Sequence, residues 1–246
     1  MKEAIVINEL TKNFKDLCAV DHVSLKIKEG EIFGLLGVNG AGKTTLIRML
    51  SCLSKPTAGE CQIMGLSLTK DFAKIKEIIN ISPQETAVAG NLSVRENLEF
   101  IASLYYKDKN VIKEKVENLI QKFNLEEVAK KRAKLLSGGM QRRLSIAMAL
   151  VSDPKILFLD EPTLGLDVIA RKELWKIIKE LKKSITIILT THYMEEAENL
   201  ADRIGIMVKG KLVALGTVQQ LMKQTGESKF EDAFIKIAEG GALWDV

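Results

Sequence analysis

The sequence is poor in cysteine and lacks any long apolar run. Its three cysteines, Cys18, Cys52 and Cys61, are an odd number without metal-ligand spacing, which favours reduced thiols over a disulfide framework. The first ten residues show no signal-peptide core. Runs of apolar residues, such as 204–208, fall far short of the ~20 residues that cross a bilayer. These absences predict a cytoplasmic protein that reaches a membrane only through a partner.

The sequence also lacks an excess of one charge. Its 36 basic and 32 acidic residues give a formal net charge of +4 at pH 7, whereas nucleic-acid-binding proteins usually carry a concentrated basic face. We therefore expect no nucleic-acid partner. A chain of 246 residues with 46% hydrophobic and 28% charged residues has the composition of one folded domain.

Short apolar runs alternate with amphipathic segments along the chain. Nearly all-apolar runs are typical of strands buried on both faces of a parallel sheet. Four such runs are present, at residues 31–36, 78–81, 155–160 and 184–190. Three further segments carry the turn signals of hairpins. These are 4–10, 23–27 before Glu29-Gly30, and 203–208 before Lys209-Gly210.

A helical pattern fills the stretch between residues 93 and 133. Ser93 and Glu96 have the spacing of a capping box. One apolar face follows, made of Val94, Leu98, Ile101 and Tyr105. We therefore predict an α/β fold with a mainly parallel sheet, a small antiparallel β subdomain and an inserted helical subdomain.

A glycine-rich segment follows the apolar run 31–36 and matches the pattern G-x-x-x-x-G-K-[ST] in full. Its glycines allow backbone N–H groups to face a phosphate, and the predicted helix after it adds partial positive charge. Lys43 would bring a full charge to the β and γ phosphates, and the Thr44 hydroxyl would bind Mg²⁺. The predicted nucleotide-binding residues here are Gly37, Val38, Asn39, Gly40, Ala41, Gly42, Lys43, Thr44 and Thr45.

Two carboxylates, Asp160 and Glu161, end the apolar run 155–160. Carboxylates at the end of a buried strand are costly unless they serve a metal or a reaction. We predict Asp160 in the Mg²⁺ shell and Glu161 as a general base beside the γ-phosphate, assistance worth about 10²–10⁴-fold in rate. Taken alone, the pair could equally be a solvated strand end. Both motifs together predict a P-loop NTPase core, and the sequence lacks the Asn-Lys-x-Asp motif of a GTPase.

A second glycine turn follows Leu136 and precedes another apolar helical stripe. Ser137 is a predicted N-cap, and the bare N–H groups after it form a second phosphate-binding helix end. An isolated turn of this kind would be an ordinary helix start. Here Leu-Ser-Gly-Gly-Met-Gln, residues 136–141, resembles the signature sequence of the ABC ATPase family. The order of motifs matches that family too, and the resemblance covers essentially the whole chain.

The resemblance implies roles for residues that spacing alone leaves open. Gln84 resembles the Q-loop glutamine that contacts Mg²⁺, and His192 resembles the switch histidine that acts with Lys43 and Glu161 in catalysis. Asp167 resembles the D-loop aspartate, although it could be only a helix N-cap. The aromatic that stacks on adenine corresponds to Phe14, for which simple packing is the alternative. The residues that would contact the nucleotide of a partner subunit are Ser137, Gly138, Gly139 and Gln141.

The resemblance further implies ATP and Mg²⁺ as cofactors and a head-to-tail dimer with a second copy or a paralogous ATPase. It also implies an integral membrane permease as a partner, so the subunit would be cytoplasmic and peripheral on the inner face of the cell membrane. A groove near residues 84–98, with apolar Val88, Leu92 and Val94, would receive the permease, although Leu92 could simply staple the helix.

The predicted organisation is a single ABC ATPase domain over residues 1–246. It has an N-terminal β portion, a helical lobe at about 85–150, and a C-terminal hairpin and short helix at about 203–246. Segments 136–144, 191–197 and 230–234 are similar to the branch that powers drug, sodium, lipid or polysaccharide exporters. An importer subunit and a soluble ABC protein with a non-membrane partner remain the alternatives, and the sequence does not identify the cargo.

Overall fold

The computed structural model describes residues 2–182 and 184–243 and contains two sheets. The smaller sheet is antiparallel, with order β2-β1-β4-β5. Its strands are β1 (Glu3–Phe14), β2 (Leu17–Lys28), β4 (Ala58–Ile63) and β5 (Leu66–Ser67). The larger sheet has order β10-β9-β3-β8-β7-β6, and all its pairs are parallel except β10 with β9. Its strands are β3 (Ile32–Leu36), β6 (Ile79–Ser82), β7 (Ile156–Asp160), β8 (Thr186–Thr191), β9 (Arg203–Val208) and β10 (Lys211–Gly216).

Nine α-helices occur in the described residues. They are α1 (Lys43–Leu50), α2 (Phe72–Ile78), α3 (Val94–Tyr105), α4 (Lys109–Lys122), α5 (Gly138–Leu150), α6 (Val168–Leu181), α7 (Met194–Leu200), α8 (Val218–Thr225) and α9 (Phe230–Leu243). Between residue 2 and residue 243, residue 183 aside, none of them combines the length and the apolar character that a membrane span requires.

The larger sheet separates two hydrophobic cores. In β7, Leu157 and Leu159 pack with apolar residues of α3 to α6, whereas Ile156 and Phe158 pack with residues of the antiparallel sheet and α1. This alternation follows from the two-residue period of a strand. It explains why β7 is apolar throughout, as the sequence predicts for a strand buried on both faces.

Helices α3, α4 and α5 are inserted between the neighbouring parallel strands β6 and β7. The Ser93 side chain accepts from the Glu96 N–H, and the Glu96 carboxylate accepts from the Ser93 N–H, which confirms the capping box. The stretch is not helical throughout, because an extended break separates α3 from α4 and Asp108 caps the second helix. Tyr105 was wrongly predicted on the buried face; it is 53% exposed, and Ala102 is buried instead.

The α/β fold with a mainly parallel sheet, a small antiparallel sheet and inserted helices is confirmed. The hairpin of β9 and β10 is confirmed as well. Glu29-Gly30, in contrast, does not close a hairpin, because it leads from β2 in one sheet to β3 in the other. The segments 4–10 and 23–27 are nevertheless confirmed as hairpin strands, because β1 pairs with β2 through the turn at Lys15 and Asp16. The proposed limits of the helical lobe and of the C-terminal region stay predictions.

Candidate active site

A cavity of about 870 Å³ opens at the carboxyl ends of β3, β7 and β8. Ligands of open parallel sheets bind at this edge of the strands. Ten predicted site residues line it, namely Asn39, Gly40, Ala41, Gly42, Lys43, Thr44, Thr45, Gln84, Glu161 and His192. The fold therefore gathers into one cavity residues that the sequence places more than a hundred positions apart.

The glycine loop between β3 and α1 is shaped by close backbone contacts. Gly42 is the N-cap of α1 with φ of 99°, and a Cβ there would lie 2.3 Å from the carbonyl oxygen of Ala19. A Cβ on Gly37 would lie 2.5 Å from the carbonyl oxygen of Met207. Only glycine fits these positions. The first turn of α1 contains no acidic residue, so the partial positive charge at the helix N-terminus is open to an anion.

Lys43 is buried at the base of the loop. Its Nζ donates to the carbonyls of Gly37 at 2.7 Å and Val38 at 3.2 Å, and it lies 3.7 Å from Oε1 of Glu161. Burial lowers the pKa of Lys43, while the charges of Glu161 and Asp160 act in the opposite direction. The ammonium group is thus poorly solvated and held by weak partners, which suits it to bind phosphate oxygens.

Glu161 joins Lys43 to the end of β8. Its Oε2 lies 2.8 Å from Nδ1 of His192, and its N–H donates to the carbonyl and hydroxyl oxygens of Thr190. The residue has φ of 48°, in the left-handed region that few non-glycine residues adopt. This backbone conformation turns the chain after Asp160 so that the next carboxylate faces the cavity.

The residues predicted to hold Mg²⁺ offer oxygen ligands. Oδ1 of Asp160 accepts hydrogen bonds from the hydroxyls of Thr190 at 2.5 Å and Thr44 at 3.3 Å. Gln84, which follows β6, lines the same cavity. No cluster of three or more His, Cys, Asp or Glu residues that could hold a metal exists in the described part of the chain. Mg²⁺ is commonly held by one or two carboxylates together with substrate phosphates, and these residues fit that pattern.

Phe14 and the signature turn at residues 137–141, both predicted to contact nucleotide, lie outside the cavity lining. Phe14 is 49% exposed at the end of β1, with Nζ of Lys12 4.9 Å from its ring centroid, and it does not belong to the cavity lining. The wall on that side comes from β2 and the β9–β10 turn, and sequence reasoning did not assign it. It consists of Leu17, Cys18, Ala19, Lys209 and Gly210. Stacking of Phe14 on adenine stays a prediction.

The signature residues 137–141 begin α5 outside the cavity lining. Ser137 caps the helix by accepting from the N–H of Met140 at 3.3 Å, and the Gln141 amide donates to the carbonyls of Ala133 and Leu136. Asp167 caps α6 by accepting from two backbone N–H groups. The N-cap interpretation of Asp167 is therefore confirmed, and its D-loop role stays a prediction.

Two buried charged residues near the site were not predicted. Arg142 of α5 is 4% exposed, and burial lowers its pKa to about 10, against the opposing charges of Asp160, Glu196 and Glu161. Glu196 of α7 is fully buried, and burial raises its pKa. No sequence signal identified them, because charged residues are almost never fully buried.

A strand that runs into a glycine loop, a lysine at the start of the next helix and an aspartate ending another parallel strand of the same sheet define a P-loop NTPase. The family model described as "ABC transporter" matches residues 20–164. The chain therefore belongs to the ABC transporter family and represents its ATPase domain.

Relatives and a solved structure agree with this family. The chain is 39% identical to the probable multidrug ABC transporter ATP-binding protein YbhF of Escherichia coli, over 98% of this chain and 42% of that protein. It is 36% identical to the daunorubicin resistance ATP-binding protein DrrA3 of Streptomyces coeruleorubidus, over 98% of this chain and 75% of that protein. The dimeric ATP-binding cassette MJ0796, bound to ADP and Pi, superposes with a TM-score of 0.79 at 27% identity, over 87% of this chain and 98% of that chain. The chain thus spans less than half of YbhF.

Proposed function

We propose that the chain binds and hydrolyses ATP as one half of a head-to-tail dimer, and that this cycle drives export through a separate membrane permease. The observation that supports the chemistry best is the cluster of buried Lys43, buried Glu161 and half-buried His192 beside the glycine loop. It places a cation, a carboxylate and an imidazole where the terminal phosphate of a nucleotide on this loop would lie.

The phosphates of ATP would replace the hydrogen-bond partners that Lys43 has in the structure. In the structure, its Nζ is held by two carbonyls and by Glu161. A γ-phosphate binds the Lys43 ammonium more strongly than either carbonyl does, since phosphate and ammonium are both ionised. Binding would therefore loosen the contact between Lys43 and Glu161. The freed Glu161 carboxylate would accept a proton from the attacking water, while His192 holds that carboxylate in place.

Thr44, Asp160 and Gln84 would hold Mg²⁺, which neutralises charge on the β and γ phosphates when bound. The contribution of the chain is to orient these oxygen atoms. Asp160 is fixed for this role by the hydroxyl of Thr190, which donates to the oxygen that faces Thr44.

The surface around the signature turn supports a dimer. Ser137 and Gly138 are exposed at the N-terminus of α5, outside the cavity that holds the glycine loop. Exposed apolar side chains flank this turn and Asp167, and a second copy would cover them. They are Leu135, Leu164, Val168 and Ile169, between 40% and 73% exposed. The related cassette MJ0796 is a dimer when bound to ADP and Pi.

The names of the relatives support export. YbhF is named a probable multidrug transporter subunit and DrrA3 a daunorubicin resistance protein.

The candidate permease surface near residues 84–98 needs one revision, because Val94 is fully buried. Val88 and Leu92 are partly exposed there, and Glu85 is exposed.

The dimer is tested with the Glu161→Gln variant. We expect it to bind ATP, to lose about 10²–10⁴-fold of its hydrolysis rate, and to elute as a dimer from size exclusion in Mg-ATP. The double variant Lys43→Ala, Glu161→Gln is the matched control and should stay monomeric. A monomeric Glu161→Gln protein at saturating ATP would contradict the sandwich.

The membrane partner is tested by co-purification with a candidate permease from a neighbouring gene. Glu85→Lys should reduce recovery of the permease, whereas Glu60→Lys, an exposed reversal on β4 of the antiparallel sheet, should not. Equal recovery with both variants would exclude this surface as the permease contact.

A further inference from the structure

Arg142, in the first half of α5, binds four main-chain carbonyl groups and, among the residues that the structure describes, no carboxylate. Its Nε donates to Pro162 at 2.9 Å and its Nη2 to Asp160 at 2.8 Å. Its Nη1 donates to the carbonyl of Pro83 and, at 3.3 Å, to that of Gln84. One buried guanidinium therefore connects the segment after β6 with the segment after β7.

This arrangement demands a fixed spacing. A buried cation is costly unless its hydrogen bonds are satisfied, and the planar guanidinium presents its donors in a rigid fork. All four carbonyls must therefore stay in place together. If either segment moved by an ångström, the charge of Arg142 would lose partners that water cannot replace at 4% exposure.

The two segments carry the reacting side chains of the site. Gln84 supplies both a carbonyl to Arg142 and a side chain to the cavity. Glu161 stands between Asp160 and Pro162, the two residues whose carbonyls accept from the other side of the fork. Arg142 itself is five residues beyond Ser137, which begins the same helix.

We propose that Arg142 is a positioning residue that holds Gln84 and Glu161 in register with the first turn of α5. Through it, the ATP site of the chain is tied to the turn that would face the nucleotide of a second copy. The inference rests on the proposed ATPase function, and it adds a link between the two half-sites of one chain that no motif of the sequence contains.

Arg203, a partly buried arginine, serves as the control for loss of an arginine with several hydrogen bonds. Arg203 donates to both carboxylate oxygens of Glu31 and to the carbonyl of Lys26. It lies at the opposite end of the same sheet, where β3 and β9 begin. Loss of Arg203 removes three side-chain hydrogen bonds, two of them to a carboxylate, without touching the segments that hold Gln84 and Glu161.

The experiment compares Arg142→Met and Arg142→Lys with Arg203→Met in the full chain. Backbone hydrogen exchange is measured in the nucleotide-free protein over residues 79–87 and 156–165, which include the ladder amides of β6 and β7 beside the two segments. Both segments should exchange at least fivefold faster in Arg142→Met, less so in Arg142→Lys, and at the wild-type rate in Arg203→Met. ATP affinity should stay within about threefold, while kcat falls by about 10-fold to 10²-fold, as expected for misplaced catalytic groups.

Unchanged exchange in both segments of the Arg142 variants would overturn the proposal. So would an equal loss of kcat in Arg203→Met at the same loss of thermal stability. If Arg142→Met does not fold, Arg142→Lys decides by the same measurements. A wild-type chain without turnover would count against the proposed function, and the exchange rates would still decide whether Arg142 positions the two segments.

Discussion

Nδ1 of His192 lies 2.8 Å from Oε2 of Glu161, although the two residues are 31 positions apart. The contact follows from strand register. Asp160 pairs with Thr190 in the parallel ladder of β7 and β8, so the residues just beyond both strands emerge at the same edge of the sheet. We therefore propose that His192 orients Glu161, the candidate general base.

We expect His192→Ala to lower kcat by about 10²-fold or more and to leave ATP affinity within about threefold. In the described part of the chain no hydrogen bond joins the imidazole to the glycine loop or to Lys43, so ATP binding should be retained. Steady-state kinetics and equilibrium ATP binding separate the two effects. His22→Ala, at the other histidine in the exposed part of β2, is the control, and equal kcat in both variants would remove His192 from the mechanism.

Lys43→Ala should abolish measurable ATP binding. The substitution removes the only buried cation that faces both the glycine loop carbonyls and Glu161 in the described part of the chain. Titration calorimetry with ATP measures the loss. Lys74→Ala, at a 70% exposed lysine on α2, should bind as the wild type does. ATP affinity that survives in Lys43→Ala would contradict the assignment of the loop.

Asp167 allows the cap and the D-loop role to be separated. Asp167→Ala should lower the free energy of unfolding by about 1 kcal/mol, because two N–H groups of α6 lose their acceptor. Asp167→Asn keeps the cap and should cost only a few tenths of a kcal/mol. Urea denaturation gives both values. A fall in ATPase activity with Asp167→Asn at unchanged stability would support the D-loop role, and unchanged activity would leave only the cap.

Glu196 should make stability depend on pH. Its Oε1 accepts from Nε1 of Trp175 at 3.3 Å, while Oε2 and the Thr163 hydroxyl have no hydrogen-bond partner among the described residues. Burial is the main cause that raises the pKa of Glu196 above its ordinary 4.5; the hydrogen bond from Trp175 opposes the rise, and the charge of Glu161 adds to it. The folded state therefore holds the proton more tightly than the unfolded state.

The sign follows from proton linkage. The contribution of neutral Glu196 is fully present below pH 4.5 and is lost as pH rises toward the raised pKa. Glu196→Gln cannot ionise and keeps an acceptor for Trp175. Its melting temperature should exceed that of the wild type by a margin that grows as the pH rises above 4.5 toward the raised pKa. A margin that is constant or shrinks with pH would contradict this account.

Much of the site could be predicted from local sequence. The glycine loop and the capping box at Ser93 depend on short-range spacing, so the structure contains both where the sequence predicts them. Strand β7 was predictable because burial on both faces leaves an apolar run of its own. These features need no knowledge of which elements become neighbours.

The predictions fail where the structure depends on which helices and strands become neighbours. Glu29-Gly30 has a turn signal, but the strands on either side of it belong to different sheets. Tyr105 has helical spacing, but α3 ends there and its side chain meets solvent. The role of Arg142 could not be predicted from the sequence, because its hydrogen-bond partners are main-chain carbonyls, which every residue has. Only the convergence of α5 with the ends of β6 and β7 makes that arginine special.

The strand order also constrains how the protein folds during synthesis. Strand β3, which carries the glycine loop, lies between β8 and β9, and β9 ends at Val208. A ribosome that adds ~5–20 residues per second needs about 9 to 34 s for the 172 residues from 37 to 208. During that time β3 lacks at least one native neighbour, and for most of it both. The nucleotide site is therefore assembled only after nearly all of the chain has emerged, and the apolar strand beneath it must be kept from aggregating until then.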